Sequence, residues 1–106
     1  MPRYLFAASY SPDGVKGLLA KGGSARRTAL EKAAADLGGR LETFDFAFGE
    51  NDVFTIMELP GPSAAAALAL RVSADGRASV KTTVLLTPEE IDDASNLSVS
   101  YVPPGG

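Results

Sequence analysis

The chain has 106 residues, 45% hydrophobic and 22% charged, enough for one small domain that buries about 60–70% of its unfolded surface and too apolar to be disordered. Histidine and cysteine are both absent, which excludes Ser-His-Asp and Cys-His nucleophilic sites, a histidine general base, the usual zinc sites, haem or iron–sulfur ligation by these residues, and disulfides. A net charge of −3 and a pI near 4.8 argue against nucleic-acid and anionic-membrane partners, and with no apolar run of roughly 18 residues and no leader-like start the expectation is a soluble, cytoplasmic protein.

Arg3 to Tyr10 (RYLFAASY) reads as a strand rich in aromatic and apolar residues. Ser11-Pro12 follows as an N-cap with proline at the first helical position, opening a short helix with Val15, Leu18 and Leu19 on one face. That helix stops at Gly22-Gly23. Ser24 starts a stronger one with a stripe of Leu30, Ala33 and Leu37, i,i+4 ion pairs Arg27–Glu31 and Lys32–Asp36, and a stop at Gly38-Gly39. Leu41–Phe48 and Val53–Leu59 form an antiparallel hairpin across Gly49-Glu50-Asn51-Asp52. If Gly49 pairs with Asp52, Phe48 faces Val53, Phe46 faces Thr55 and Phe44 faces Met57. The opposite face then carries Thr43, Asp45, Ala47, Phe54, Ile56 and Glu58. Pro60-Gly61-Pro62 breaks the chain, and Ser63 caps an alanine-rich helix from Ala64 to about Asp75, ended by Gly76. Ser79–Leu86 is the fourth strand. Thr87-Pro88-Glu89-Glu90 is a capping box that opens a short acidic helix. Residues 1–94 make one domain, and residues 95–106 form a tail that is loosely ordered or a dimer arm.

The order β-α-β-β-α-β, with its first helical region split, specifies an α+β, ferredoxin-like fold with an antiparallel four-stranded sheet in the order 4-1-3-2. The first and third strands are the most apolar and belong in the middle. Glu42, Asp45, Lys81, Thr82 and Thr83 mark the other two as edges. Both helical layers pack on one face of the sheet, which leaves the other face bare. A homodimer through that open face is the economical cover.

Several residues suggest chemistry, each with a plainer reading beside it. Gly22-Gly23-Ser24 opens a helix among Lys21, Arg26 and Arg27, so backbone N–H groups and cations converge where an anion binds. The plainer reading is a tight turn with solvated arginines. It is not a P-loop, because Gly23 stands where the lysine belongs. Tyr10, Asp45 and Lys81 are polar residues within apolar strands. A buried Asp45 would have a raised pKa and serve as a general base, whereas the plainer reading puts Asp45 and Lys81 on opposite edge strands, exposed or meeting across a dimer interface. Phe44, Phe46 and Phe48 read as core rather than as cavity wall. Glu89, Glu90, Asp92 and Asp93 lack calcium-loop spacing, and no metal or cofactor is expected. An RNA-recognition reading of the βαββαβ order fails, since Val53-Phe54-Thr55-Ile56-Met57 lacks the basic-aromatic motif.

Tyr4-Leu5-Phe6, Ala8-Ser9-Tyr10, Gly14-Val15-Lys16-Gly17-Leu18 and Lys21-Gly22-Gly23-Ser24 with Arg26-Arg27 resemble the GYD-domain family. So do Leu37-Gly38-Gly39, Phe46-Ala47-Phe48-Gly49, Asp52, Ser63-Ala64-Ala65, Lys81-Thr82-Thr83 and Leu86-Thr87-Pro88-Glu89-Glu90. The resemblance runs almost the whole chain to about Ala94. It implies a small bacterial protein similar to the dimeric α+β barrel proteins, in a family with no established activity. The Gly-Tyr-Asp turn that names the family stands here as Gly49-Glu50-Asn51-Asp52, with Asn51 at the tyrosine position. The expected function is a homodimeric module that binds a small apolar or anionic metabolite through Lys16, Lys21, Gly23, Ser24, Arg26, Arg27 and Lys81. The alternative is a cofactor-independent enzyme with acid–base or oxygenase-type chemistry on a small organic acid or aromatic metabolite, in which an acid–base role falls to Asp45 or Tyr10 and Arg26, Arg27 or Lys16 orients an anionic group.

Overall fold

In the computed structural model, which describes residues 1–47 and 49–106, the chain runs β1 (Arg3–Tyr10), α1 (Pro12–Lys21), α2 (Gly23–Asp36), β2 (Arg40–Phe46), β3 (Val53–Glu58), α3 (Pro62–Asp75), β4 (Ala78–Leu85), α4 (Pro88–Ser95). The four strands form one antiparallel sheet in the order β2-β3-β1-β4. This is the expected order read from the opposite edge, with the two most apolar strands central.

Side chains alternate across each strand. Tyr4 and Phe6 of β1 and Val53, Thr55 and Met57 of β3 are buried on one face, and Tyr4, Phe6 and Met57 pack in one core with Leu30 and Ala34 of α2 and Ala65 of α3. Leu59, just past β3, closes the same core. Each fully buried side chain of the size of Met57 or Leu59 contributes about 1.5–3 kcal/mol. The alanines of α3 let it lie close to the sheet, chiefly over β4. Within α2, Leu30 and Ala34 are buried, while the expected stripe members Ala33 and Leu37 are half-covered. Leu19 faces solvent and Val15 is exposed, so of the expected apolar face of α1 Leu18 alone is half-covered.

Local signals hold where a side chain caps the backbone. The Ser11 hydroxyl accepts from the Gly14 N–H at 3.3 Å, and Thr87 and Glu90 make the reciprocal capping box at 3.1 and 3.0 Å. Two expected caps are corrected. The second helix begins at Gly23 with Gly22, at φ +86°, in the cap position, so Ser24 lies within it. The third begins at Pro62 behind Gly61, and Ser63 caps nothing. In both places a glycine or proline sets the backbone one or two residues before the serine.

The hairpin register is corrected by two residues. Phe46 faces Val53 and Phe44 faces Thr55, and a bulge between Leu41 and Thr43 brings Leu41 opposite Met57. The connection is longer than a tight turn. It closes through the Ala47 N–H to Asp52 carbonyl bond at 2.8 Å. A shift of two preserves side-chain parity, so the two faces keep the expected sets. The expected pairing of Phe48 lies outside the described residues.

Candidate functional site

Two features on the helix side of the sheet lie one above the other. The deeper is an apolar cavity of about 40 Å³ among Phe6, Ala8, Leu30, Phe44, Val53 and Val80. Above it, a cleft of about 520 Å³ separates the α1–α2 pair from α3, within the range of small-molecule sites. Tyr10, Arg26, Leu30, Leu68, Val72 and Ala78 line both, so the cleft floor is the roof of the cavity.

The rim of the cleft is cationic. Lys21 and Arg26 come from the α1–α2 side, Arg71 from α3, and Arg77 from the turn into β4. One carboxylate, Asp75, shares this rim and lies 3.8 Å from Arg77. Helical spacing explains Arg71: Leu68, Val72 and Asp75 fall at i−3, i+1 and i+4 from it, on the stripe that borders the sheet. Arg77 is placed by a backbone latch, in which its carbonyl accepts from the Ser11 N–H at 2.9 Å and from the Ser11 hydroxyl at 3.2 Å. Gly14 makes the latch possible. A Cβ there would collide with the Arg77 carbonyl.

Of the residues expected to carry function, Tyr10, Lys21 and Arg26 are brought together at this cleft. Gly22, rather than Gly23 or Ser24, lines it. Gly23 instead sits over the Phe46 ring, 2.9 Å from where its Cβ would be, and Ser24 is exposed. Lys16 is exposed on α1. Arg27 lies on the outer side of α2, 4.0 Å from Glu31. Asp45 and Lys81 are exposed on the opposite, open face of the sheet, on edge strands β2 and β4. Tyr10 and Asp45, the two alternative acid–base residues, thus lie on opposite faces of the sheet. Arg71, Arg77 and the apolar floor were not anticipated. The 68-71-72-75 stripe in the sequence was the available signal for Arg71.

The loop that carries the family's naming turn has a different task. The Asp52 carboxylate accepts the Tyr10 N–H at 2.7 Å, and the Asp52 N–H donates to the Ala8 carbonyl at 2.8 Å. The Ser9 hydroxyl donates to the Glu50 carbonyl at 3.2 Å and lies 3.5 Å from Asn51 Oδ1. Asp52 thus ties the hairpin to the end of β1 that presents Tyr10. A GYD domain model matches residues 4–95. The chain belongs to the GYD-domain family. Searches of curated proteins and of solved structures gave no match.

At the far end of the open face, Arg3 forms two bonds with Glu42, at 2.9 and 3.1 Å, and Arg40 pairs with Glu58. The bond to Glu42 raises the Arg3 pKa, and the same bond holds the Glu42 carboxyl below its ordinary value. Among the described residues no helix is long and apolar enough to cross a membrane, and no three acidic side chains are grouped to hold a metal ion.

Proposed function

We propose that this GYD-domain protein is a homodimeric, cytoplasmic binding module for a small amphipathic anion, held in the cleft between the α1–α2 pair and α3. The observation that carries the reading is the rim. A chain with a net charge of −3 gathers four cations against one carboxylate around an apolar floor. An apolar body fits over Leu30, Leu68, Val72 and Ala78, and a carboxylate or phosphate meets Arg26 and Arg71 in fork geometry. The adjoining small cavity has room for the end of an alkyl or aryl group.

Asp45 is exposed on the open face and lines neither the cleft nor the cavity, which supports binding over acid–base catalysis by that carboxylate. Homodimerisation is supported by the open face, where Leu5, Ala7, Ile56 and Leu85 are only half-covered and Phe54 is 39% exposed. A dimer through that face leaves both clefts accessible.

A thermal-shift screen of medium-chain and aryl carboxylates at millimolar concentration tests the cleft. Ligands that bind the folded state raise Tm in proportion to RT ln(1 + [L]/Kd). Anionic members are expected to raise Tm, with their neutral amides giving no shift. Arg71→Ala should weaken binding by roughly ten- to a hundredfold, with the ligand-free Tm unchanged. Equal shifts for acids and amides, or none for either, would overturn the reading.

A further inference from the structure

The C-terminal segment behaves unlike the rest of the chain. Residues 96–102 (NLSVSYV) alternate apolar and polar over Leu97-Ser98-Val99-Ser100-Tyr101, the period-two signature of a half-buried strand. Yet Leu97, Val99 and Tyr101 are 74%, 82% and 72% exposed. The preceding helix α4 leaves Ile91 half-exposed and is absent from the well-packed pairs of elements. The molecule is correspondingly long, 55 Å on its greatest axis, with a radius of gyration of 16.8 Å against about 13 Å for a compact domain of this size. An apolar strand pattern held away from its own subunit lacks the surface that it is patterned to meet.

We propose that this arm pairs with the free edge of β2 in a second copy of the chain. The inference rests on the homodimer through the open face. Three features of that face select the second copy as the occupant. The first is charge. Asp45, Phe54, Ala7 and Lys81 stand in one row across the sheet, one from each strand, with the acid on the β2 edge and the base on the β4 edge. A two-fold axis parallel to the strands lays β4 of one copy over β2 of the other and sets Lys81 over Asp45. An axis perpendicular to the strands stacks β2 on β2 and forms no such pair.

The second feature is direction. β4 is antiparallel to β1, and β2 runs parallel to β1, being two antiparallel steps away. Arg3 faces Leu85 on one side and Glu58 on the other, and Glu58 faces Arg40. The end of β4 and the start of β2 therefore lie in the same row. Under the strand-parallel axis, α4 and the arm emerge beside the start of the partner's β2, whose outer edge is unpaired in the sheet.

The third feature is area. Four strands of six to eight residues present roughly 450 Å² of flat face at the usual strand spacing and rise. A stable interface takes about 800 Å² from each partner. The open face falls short by close to half. Seven extended residues reach about 23 Å, the length of β2, and their added backbone bonds and apolar side chains supply the missing contact.

The chain has no cysteine, so introduced pairs report without background. Leu97→Cys, Val99→Cys and Tyr101→Cys, each in the full chain, are mixed separately with a Thr43→Cys copy and oxidised. At least one mixture is expected to give a disulfide-linked dimer of the two different copies. A second measurement uses the full-length Val99→Asp/Tyr101→Asp variant, whose dimer dissociation constant should rise tenfold or more by light scattering, with its fold unchanged by circular dichroism. A dimer that keeps its dissociation constant in that variant and yields no mixed disulfide overturns the arm and leaves the open-face dimer standing. A wild-type chain that is monomeric at tens of micromolar overturns both.

Discussion

Arg71 and Arg77 show how a functional position arises from neighbours rather than from a motif. Each is an isolated arginine in the sequence, and each reaches the cleft because something else fixes its backbone: the apolar stripe of α3 for Arg71, the Ser11 latch for Arg77. Gly14 is the residue on which the latch depends. Gly14→Ala drives a methyl group into the Arg77 carbonyl, and relief requires α1 to move away from the turn into β4. We expect a loss of about 1–3 kcal/mol, the usual cost of overpacking, read as a lower urea midpoint. An unchanged midpoint would show that the contact is not needed. Gly17 is the control, since a Cβ there meets open space, and Gly17→Ala should leave stability level or raise it through helix propensity.

Among the elements, the β2–β3 hairpin carries the most information about what sequence patterns can deliver. Alternation identified both strands and both faces, because parity survives a shift of two residues. Register was beyond it. The bulge between Leu41 and Thr43 and the bonds made by Asp52 to β1 accompany the observed register, and the Asp52 bonds reach a strand 42 residues away in the chain. Asp52→Ala removes a carboxylate acceptor from the half-buried Tyr10 N–H and should cost about 1.5–3 kcal/mol, the range for a hydrogen bond to a charged group. Because Tyr10 lines the cleft, ligand affinity should fall in the same variant. Chemical denaturation and the ligand-dependent Tm together check both effects. Loss of stability with affinity intact would detach the loop from the site.

For the whole molecule, the distribution of charge matters more than its sum. The net charge is −3, but the four cations at the cleft run against it, and the Asp45–Lys81 row is neutral and self-complementary. Lys81→Asp places acids at both ends of that row, and the dimer dissociation constant should rise roughly tenfold, since the exchange affects two exposed pairs worth up to about 1 kcal/mol each. The double exchange Asp45→Lys/Lys81→Asp restores opposite ends and should recover the affinity. If the double variant is no better than the single, Lys81 does not face Asp45 across the interface.

Fold class, strand order, central and edge strands and the split first helical region were all determined by the sequence alone, because each follows from local periodicity, glycine and proline positions and the rule that apolar strands go inside. Tyr10, Lys21 and Arg26 were legible as candidates for the same reason: they sit at the ends of recognisable elements. The tertiary structure decided which candidates share a site. A sheet puts alternate residues on opposite sides, so Asp45 and Tyr10, both polar strand residues in the sequence, are separated by the sheet itself, while Arg71 joins Arg26 across a cleft between helices that no local pattern relates. Proximity of that kind depends on how elements pack, and packing is decided by long-range contacts that short windows of sequence do not contain.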